Sequence, residues 1–188
     1  MIDESRQDEL EFKIFYSIIV AGKSAKFAND VVERWYSLFL RKGELLFEAM
    51  RRLEREGSLK DSFVEARTGN YNKVFSAMSD LIHRKIDLES CFPEDLEQVK
   101  GIGPKTSRFF ILWTRPQARY AALDVHILRW LGERHQGVPR TTPQSKTRYR
   151  ALETLFLQEA EKGGVTPRQL DSEIWEAGST ATNIVPKR

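Results

Sequence analysis

The stretch Leu96-Glu-Gln-Val-Lys-Gly-Ile-Gly-Pro-Lys-Thr-Ser107 decides the fold, because it predicts a tight turn between two helices. Gly101 and Gly103 flank a single apolar residue, and glycine lets a backbone turn sharply and approach another surface closely. Pro104 suits the first position of a helix, where its missing N–H costs no hydrogen bond. The pattern therefore predicts a helical hairpin over roughly residues 94–114.

The start of the second hairpin helix is a candidate phosphate-binding site. The first amides of a helix have no partner within it, and the positive end of the helix dipole lies beside them. We expect Gly101, Gly103 and Thr106 to lie against a phosphate of a nucleic-acid backbone. Such a contact fixes position without reading the base sequence. The other interpretation of the pattern is an ordinary corner between two helices, with no ligand.

Apolar residues recur at helical spacing through most of the chain. A typical stripe is Phe27, Val31, Trp35, Leu38 and Phe39. The second hairpin helix is predicted to end near Thr114, and Asp124 is predicted to cap a helix that runs to Gly137. Further helices are predicted over about residues 144–161 and 167–178. The apolar–polar alternation of strands does not occur in the sequence, so the predicted fold class is all-α.

Positive charge is concentrated in the middle of the sequence. The 188 residues carry a formal net charge of only +3. Residues 100–150, which we call the basic segment, contain 11 Lys and Arg but only two acidic residues, Asp124 and Glu133. Such a segment can bind a polyanion by neutralising its phosphates and releasing counterions. A solvated basic surface without a partner is the alternative.

Composition argues against several classes of protein. Cys91 is the sole cysteine, so one chain can form neither an internal disulfide nor a four-cysteine iron–sulfur cluster. The histidines lack metal-ligand spacing, and we expect no cofactor. The apolar run Phe15–Ala21 is too short to cross a bilayer, and Met1–Glu11 is unlike a signal peptide. We therefore expect an intracellular protein that does not enter membranes.

Two candidate catalytic residues accompany the hairpin. Lys105 follows the second glycine by two positions, and Asp124 lies 19 positions later in Asp-Val-His-Ile-Leu. This combination resembles the helix-hairpin-helix (HhH-GPD) superfamily of DNA glycosylases. The resemblance implies that Lys105 is the amine nucleophile of a member with both glycosylase and abasic-site lyase activity. It also implies that Asp124 is the carboxylate partner, and Asp124 with His126 matches the Asp-x-His sequence of the family. The imidazole of His126 is expected to donate to a DNA phosphate, the alternative being an ordinary polar surface residue.

Parts of the sequence are most similar to the compact class of 8-oxoguanine glycosylase/lyases. The shared features are Lys-Gly-Ile-Gly-x-Lys at 100–105 and Leu-Asp-x-x-Ile-Trp at 170–175. This likeness implies that Trp175, Asp171 and Arg188 line the base pocket. The alternatives are a core tryptophan at Trp175 and a helix cap at Asp171. The tail after Trp175 departs from this class, so a damaged pyrimidine, as in endonuclease III, is the other substrate to consider.

The resemblance also implies an architecture. A six-helix barrel lobe is expected over 27–122, ending in the hairpin, with 1–26 and 123–188 forming a second helical lobe and the active site in the cleft between lobes. Lys23 is expected near the DNA, where endonuclease III has a glutamine. The carbonyls of Val99 and Ile102 would hold a monovalent cation, as in other members.

The expected partner is duplex DNA that contains a damaged base, bound by a monomer. A hairpin that binds DNA without catalysis is the competing class of function. The combination of Lys105 with Asp124 favours the enzyme, because binding alone does not require a carboxylate in so basic a segment.

Overall fold

The computed structural model describes residues 4–182, and this part of the chain contains ten helices and no strands. The all-α prediction is therefore confirmed for these residues. The helices are α1 (Glu4–Ile19), α2 (Ala25–Phe39), α3 (Leu46–Arg55), α4 (Leu59–Glu65), α5 (Tyr71–His83), α6 (Pro93–Leu96), α7 (Pro104–Thr114), α8 (Val125–Gly132), α9 (Lys146–Lys162) and α10 (Pro167–Thr182). None of the helices within 4–182 combines the length and apolar character needed to span a membrane.

The chain divides into two compact units, and the boundary falls between Thr106 and Ser107, inside α7. These bounds differ from the predicted lobes of 27–122 and of 1–26 with 123–188. Helix α1 contacts α2, α3 and α5, all of which belong to the first unit. Helix α1 belongs to the first unit because its apolar face is buried against aromatic residues of that unit.

The core of the first unit is built around Trp35. Its ring lies 5.6 Å from the ring of Phe15 and 6.3 Å from that of Phe63, measured between centroids. Its indole Nε1 donates to the hydroxyl of Ser62 at 3.0 Å, so the polar end of the side chain is also satisfied. Truncating such a fully buried tryptophan typically costs about 3–5 kcal/mol.

The core of the second unit is formed by α8, α9 and α10 together with the chain that precedes α8. Helix α10 contacts both α8 and α9. The buried cluster consists of Ala121, Leu123, Ile127, Leu128, Leu131, Tyr149, Leu152, Phe156, Ala160, Leu170 and Ile174. Leu123 and Ile127, which lie on either side of Asp124 in the sequence, belong to this cluster.

The two hairpin helices differ in how well they match the predictions, since α6 ends at Leu96, well before Gly101. Helix α7 has the predicted bounds, Pro104–Thr114. Helix α8 ends at Gly132 and not at Gly137, because no apolar residue continues its buried stripe after Leu131. Helix α4 was not predicted, since its seven residues are too few to give a clear periodic pattern.

Candidate functional site

The hairpin turn is packed against α5. Gly101 adopts a φ of +95°, in the region that strongly favours glycine. A Cβ atom at this position would lie 3.4 Å from Cγ of Lys73 and 3.5 Å from Cβ of Ala77, both on α5. The turn therefore needs glycine here for its backbone conformation, since the contacts that a Cβ atom would make with α5 are ordinary ones.

Asp80 of α5 fixes the same turn. Its Oδ2 accepts from the backbone N–H of Lys100 at 2.9 Å, and its Oδ1 accepts from Nε of Arg84 at 2.9 Å. The hydrogen bond from Lys100, and then that from Arg84, hold the pKa of Asp80 below its usual value against the opposing effect of burial. The turn is thus held by an ionised acceptor, a role that the sequence pattern did not reveal.

Gly103 differs from Gly101. Its φ is not in the left-handed region, and nothing lies within 4 Å of the position that a Cβ would occupy. The surrounding residues therefore do not require glycine at 103. The open space lies next to the start of α7, where the backbone of another molecule could approach.

The residues at the start of α7 offer different groups to a ligand. Lys105 is the second residue of the helix and is half-buried. The neighbouring Thr106 is only 9% exposed, so little of its surface is open to a ligand. The predictions for both residues stay predictions.

Asp124 caps α8, as predicted. Its Oδ1 accepts from the backbone N–H groups of His126 and Ile127, at 2.9 and 3.0 Å. Both capping bonds end on one oxygen of the half-buried carboxylate, so the second oxygen is left for other interactions. Capping and catalysis are therefore compatible at this residue. His126 itself is half-buried, and its Nδ1 is buried with no hydrogen-bond partner among the described residues.

The basic segment supplies a charged surface. Eight of its 11 Lys and Arg residues are exposed, namely Lys100, Arg119, Arg129, Arg134, Arg140, Lys146, Arg148 and Arg150. The guanidinium of Arg134 lies 3.9 Å from the ring centroid of Trp130, and that of Arg119 is 3.7 Å from a carboxylate oxygen of Glu161. Arg108 is the clear exception, since it is 2% exposed and is paired inside the second unit.

Lys23 takes part in contacts within the first unit. Its Nζ donates to the carbonyl of Thr68 at 3.2 Å and lies 4.3 Å from the ring centroid of Phe27. The amine therefore has intramolecular partners, and its predicted position near DNA stays a prediction.

Trp175 is not a core tryptophan and Asp171 is not a helix cap, so both alternatives to the base-pocket prediction are wrong. Trp175 is 49% exposed on α10 and is not a core residue. Asp171 is the fifth residue of α10 and does not cap it. The capping residues are Thr166, whose Oγ1 accepts from Gln169 N at 3.2 Å, and Gln169, whose Oε1 accepts from Thr166 N at 2.8 Å. Arg188, the third predicted pocket residue, lies outside the described residues.

The hairpin carbonyls proposed for a cation belong to buried residues. Val99 is 1% exposed and Ile102 is 4% exposed. The carbonyl of Val99 accepts from Ile102 N at 3.1 Å, which leaves a second lone pair on that oxygen. Within residues 4–182, no three His, Cys, Asp or Glu side chains are grouped closely enough to hold a metal ion.

Comparison with known proteins does not assign the chain to a family or a known fold. The chain matches no protein-family model, and no solved structure matches it.

Proposed function

We propose that this chain is a DNA glycosylase with abasic-site lyase activity, and that it removes an oxidised base from duplex DNA as a monomer. The observation that carries the proposal is the hairpin with Lys105 in the first turn of α7, adjoining the open space at Gly103. An amine at that place would adjoin a DNA phosphate held by the start of the helix. The two-lobed fold of the HhH-GPD superfamily is part of the same proposal.

The roles proposed for Lys105 and Asp124 follow from the chemistry of base removal. The target nucleotide leaves the base stack, and the neutral amine of Lys105 attacks C1′ of its sugar. The bond between C1′ and the base breaks, and the base departs with the electron pair and takes up a proton. The carboxylate of Asp124 stabilises the positive charge that develops on the sugar.

Strand cleavage uses the same covalent intermediate. The C1′–O4′ bond of the sugar then breaks, O4′ keeps the electron pair and takes up a proton, and a protonated Schiff base between C1′ and Nζ of Lys105 remains. Loss of a proton from C2′ moves an electron pair that breaks the C3′–O bond, so the 3′ phosphate is expelled by β-elimination. Water then hydrolyses the imine and regenerates the lysine. No metal or cofactor is needed for any of these steps.

Borohydride trapping tests the proposal, because reduction of the Schiff base joins protein and DNA irreversibly. We expect the wild-type chain to become cross-linked to duplexes that contain a single 8-oxoguanine. Duplexes with an oxidised pyrimidine test the alternative substrate, and duplexes with a preformed abasic site test the lyase step alone. Trapping on the pyrimidine duplex only would reassign the substrate and keep the mechanism.

Lys105→Gln is expected to abolish trapping and to keep DNA affinity within about tenfold, since one side chain out of the basic segment contributes modestly to phosphate neutralisation. Lys100→Gln is the matched control, because it removes the same charge from an exposed hairpin residue. It should trap normally at saturating DNA. Normal trapping by Lys105→Gln would overturn the nucleophile assignment, and DNA binding without trapping on any duplex would favour a non-catalytic hairpin module.

A further inference from the structure

The three residues that precede Asp124 form a buried, non-helical segment within an all-α unit. Ala121 and Leu123 are fully buried, Ala122 is 3% exposed, and none of them belongs to a helix or strand. Buried backbone N–H and C=O groups need hydrogen-bond partners, and a segment outside helices and sheets has no regular backbone pattern to supply them. Side chains supply such partners at Ala121 and Leu123.

Tyr149 of α9 supplies two of these bonds. Its hydroxyl donates to the carbonyl of Ala121 at 2.8 Å and accepts from the N–H of Leu123 at 3.0 Å. A third bond comes from Thr142, whose Oγ1 donates to the carbonyl of Leu123 at 2.8 Å. The phenol thus bridges both ends of the segment, and Thr142 holds the carbonyl that leads directly into Asp124.

Glu153, one helical turn after Tyr149, supplies the fourth bond. Its Oε1 accepts from the N–H of Ala121 at 2.9 Å and from Nε of Arg108 at 2.8 Å. The side chains of Arg108 and Glu153 are only 3% and 10% exposed. Breaking such a buried pair leaves an uncompensated charge. The guanidinium of Arg108 also lies 4.9 Å from the ring centroid of Tyr149, so the anchoring side chains contact one another.

We propose that Tyr149 and Glu153 are positioning residues for the carboxylate of Asp124. The segment 121–123 fixes the backbone immediately before Asp124, and α8 fixes the backbone immediately after it. The capping bonds on Oδ1 hold the side chain relative to α8, and the anchored segment holds the backbone that enters that helix. That this orientation serves catalysis rests on the proposed function.

Tyr149→Phe is the principal test, because it removes both bonds of the phenol and keeps the ring. We expect single-turnover excision to fall about 10- to 100-fold, as small misplacements of a catalytic group do, with DNA affinity unchanged. Tyr36→Phe is the matched control, since the Tyr36 hydroxyl is buried without a hydrogen-bond partner among the described residues. This variant should keep the wild-type rate.

A double-mutant cycle separates positioning from general stability. Tyr149→Phe should have little further effect on excision in an Asp124→Asn background, because it acts through that carboxylate. Equal and additive losses in both backgrounds would overturn the proposal. If Tyr149→Phe does not fold, Thr142→Val and Thr142→Ser replace it, and only the serine variant, which keeps the hydroxyl, should retain activity.

A measurement without DNA keeps this inference distinct from the proposed function. The amide NMR shifts of His126 and Ile127 report the capping bonds of Asp124. We expect these shifts to move in Glu153→Gln and not in Glu161→Gln, an exposed change on the same helix. Unmoved shifts in Glu153→Gln would overturn the positioning role. Moved shifts in a chain that excises no base would refute the proposed function and leave the anchoring of Asp124 intact.

Discussion

Glu11 and Glu153 are buried carboxylates with different partners. Glu153 is paired with the cation of Arg108. Glu11, which is 3% exposed, accepts from Nε2 of Gln7 at 2.7 Å and from the N–H of Phe47 at 2.8 Å, both neutral donors. Burial raises the pKa of Glu11 above its usual value, and these hydrogen bonds offset only part of that effect. Glu11 therefore makes the stability of the first unit depend on pH.

Glu11→Gln is expected to stabilise the protein at neutral pH, because the amide can still accept from Phe47 N and carries no charge to bury. The folded wild type keeps the Glu11 proton to higher pH than the unfolded chain does. Wild-type stability therefore falls as pH rises from the ordinary value of 4.5 to the raised pKa. The advantage of Glu11→Gln should grow across that interval, as measured by denaturant unfolding from about pH 3 to about pH 8.

Glu9→Gln, in the same helix, provides a control with the opposite sign. Hydrogen bonds from Lys13 and then Arg6 lower the pKa of Glu9. Its contribution is present at neutral pH and is lost as pH falls through the lowered value. Glu9→Gln should thus be the less stable variant at neutral pH and equal to wild type in acid. Parallel pH profiles for the two variants would contradict the assignment of the Glu11 effect to burial.

Residue roles could be predicted where the partners are close in sequence. The cap at Asp124 was predictable, because the backbone N–H groups that donate to its carboxylate belong to residues two and three positions later. Asp80 contacts the hairpin from 20 positions away, and Glu153 contacts Ala121 from 32 positions away. No local pattern marks such residues, since only the packing of separate helices brings them together.

The two hairpin glycines have different physical roles within one element. Gly101→Ala is expected to destabilise the protein by about 1–2 kcal/mol, because alanine is strained at positive φ. Gly103→Ala should leave stability nearly unchanged, since its φ is ordinary and its surroundings are open. Thermal unfolding of the two variants measures this contrast.

DNA binding should separate the same two variants in another way. If the start of α7 approaches a phosphate, a methyl group at 103 hinders the contact and weakens binding of folded protein. Wild-type affinity in Gly103→Ala would show that the open space is not used. Gly101→Ala is informative only after correction for its folded fraction.

Helix α7 was predictable because strong local signals mark both of its ends. Proline begins α7, and Pro116 follows its end, so its extent was given by residue type alone. Helix α4 lacks such signals, and it owes its place to Phe63, which packs against Trp35. Its existence depends on a tertiary contact and could not be derived from a seven-residue pattern.

At the scale of the whole molecule, charge governs the expected behaviour with nucleic acid. Because the basic segment has many exposed cations, we expect DNA affinity to fall steeply as salt is added. The logarithm of the association constant should decrease linearly with the logarithm of the salt concentration. Lys100→Gln should lower the magnitude of that slope by about 1, if Lys100 faces a phosphate. Lys60→Gln, an exposed change on α4 outside the basic segment, should leave the slope unchanged. Fluorescence anisotropy at several salt concentrations measures both, and equal slopes for all three proteins would place the DNA elsewhere.

The division into units was less predictable than the fold class. Periodicity is enough to indicate an all-α chain, but it does not say which apolar faces meet. The contact of Phe15 with Trp35 places α1 in the first unit. A prediction from sequence had no means of choosing that pairing over one with the late helices.

Labelling of Cys91 can report local opening of the first unit. This sole cysteine is 6% exposed, lies two positions before α6, and has its thiol 3.8 Å from the carbonyl of Leu88. We expect a thiol reagent to react slowly with this buried side chain in the folded protein and faster when this part of the first unit opens, so the rate of labelling reports that opening. Because one chain can take up one label, the reaction follows a single site beside the hairpin without any engineered probe.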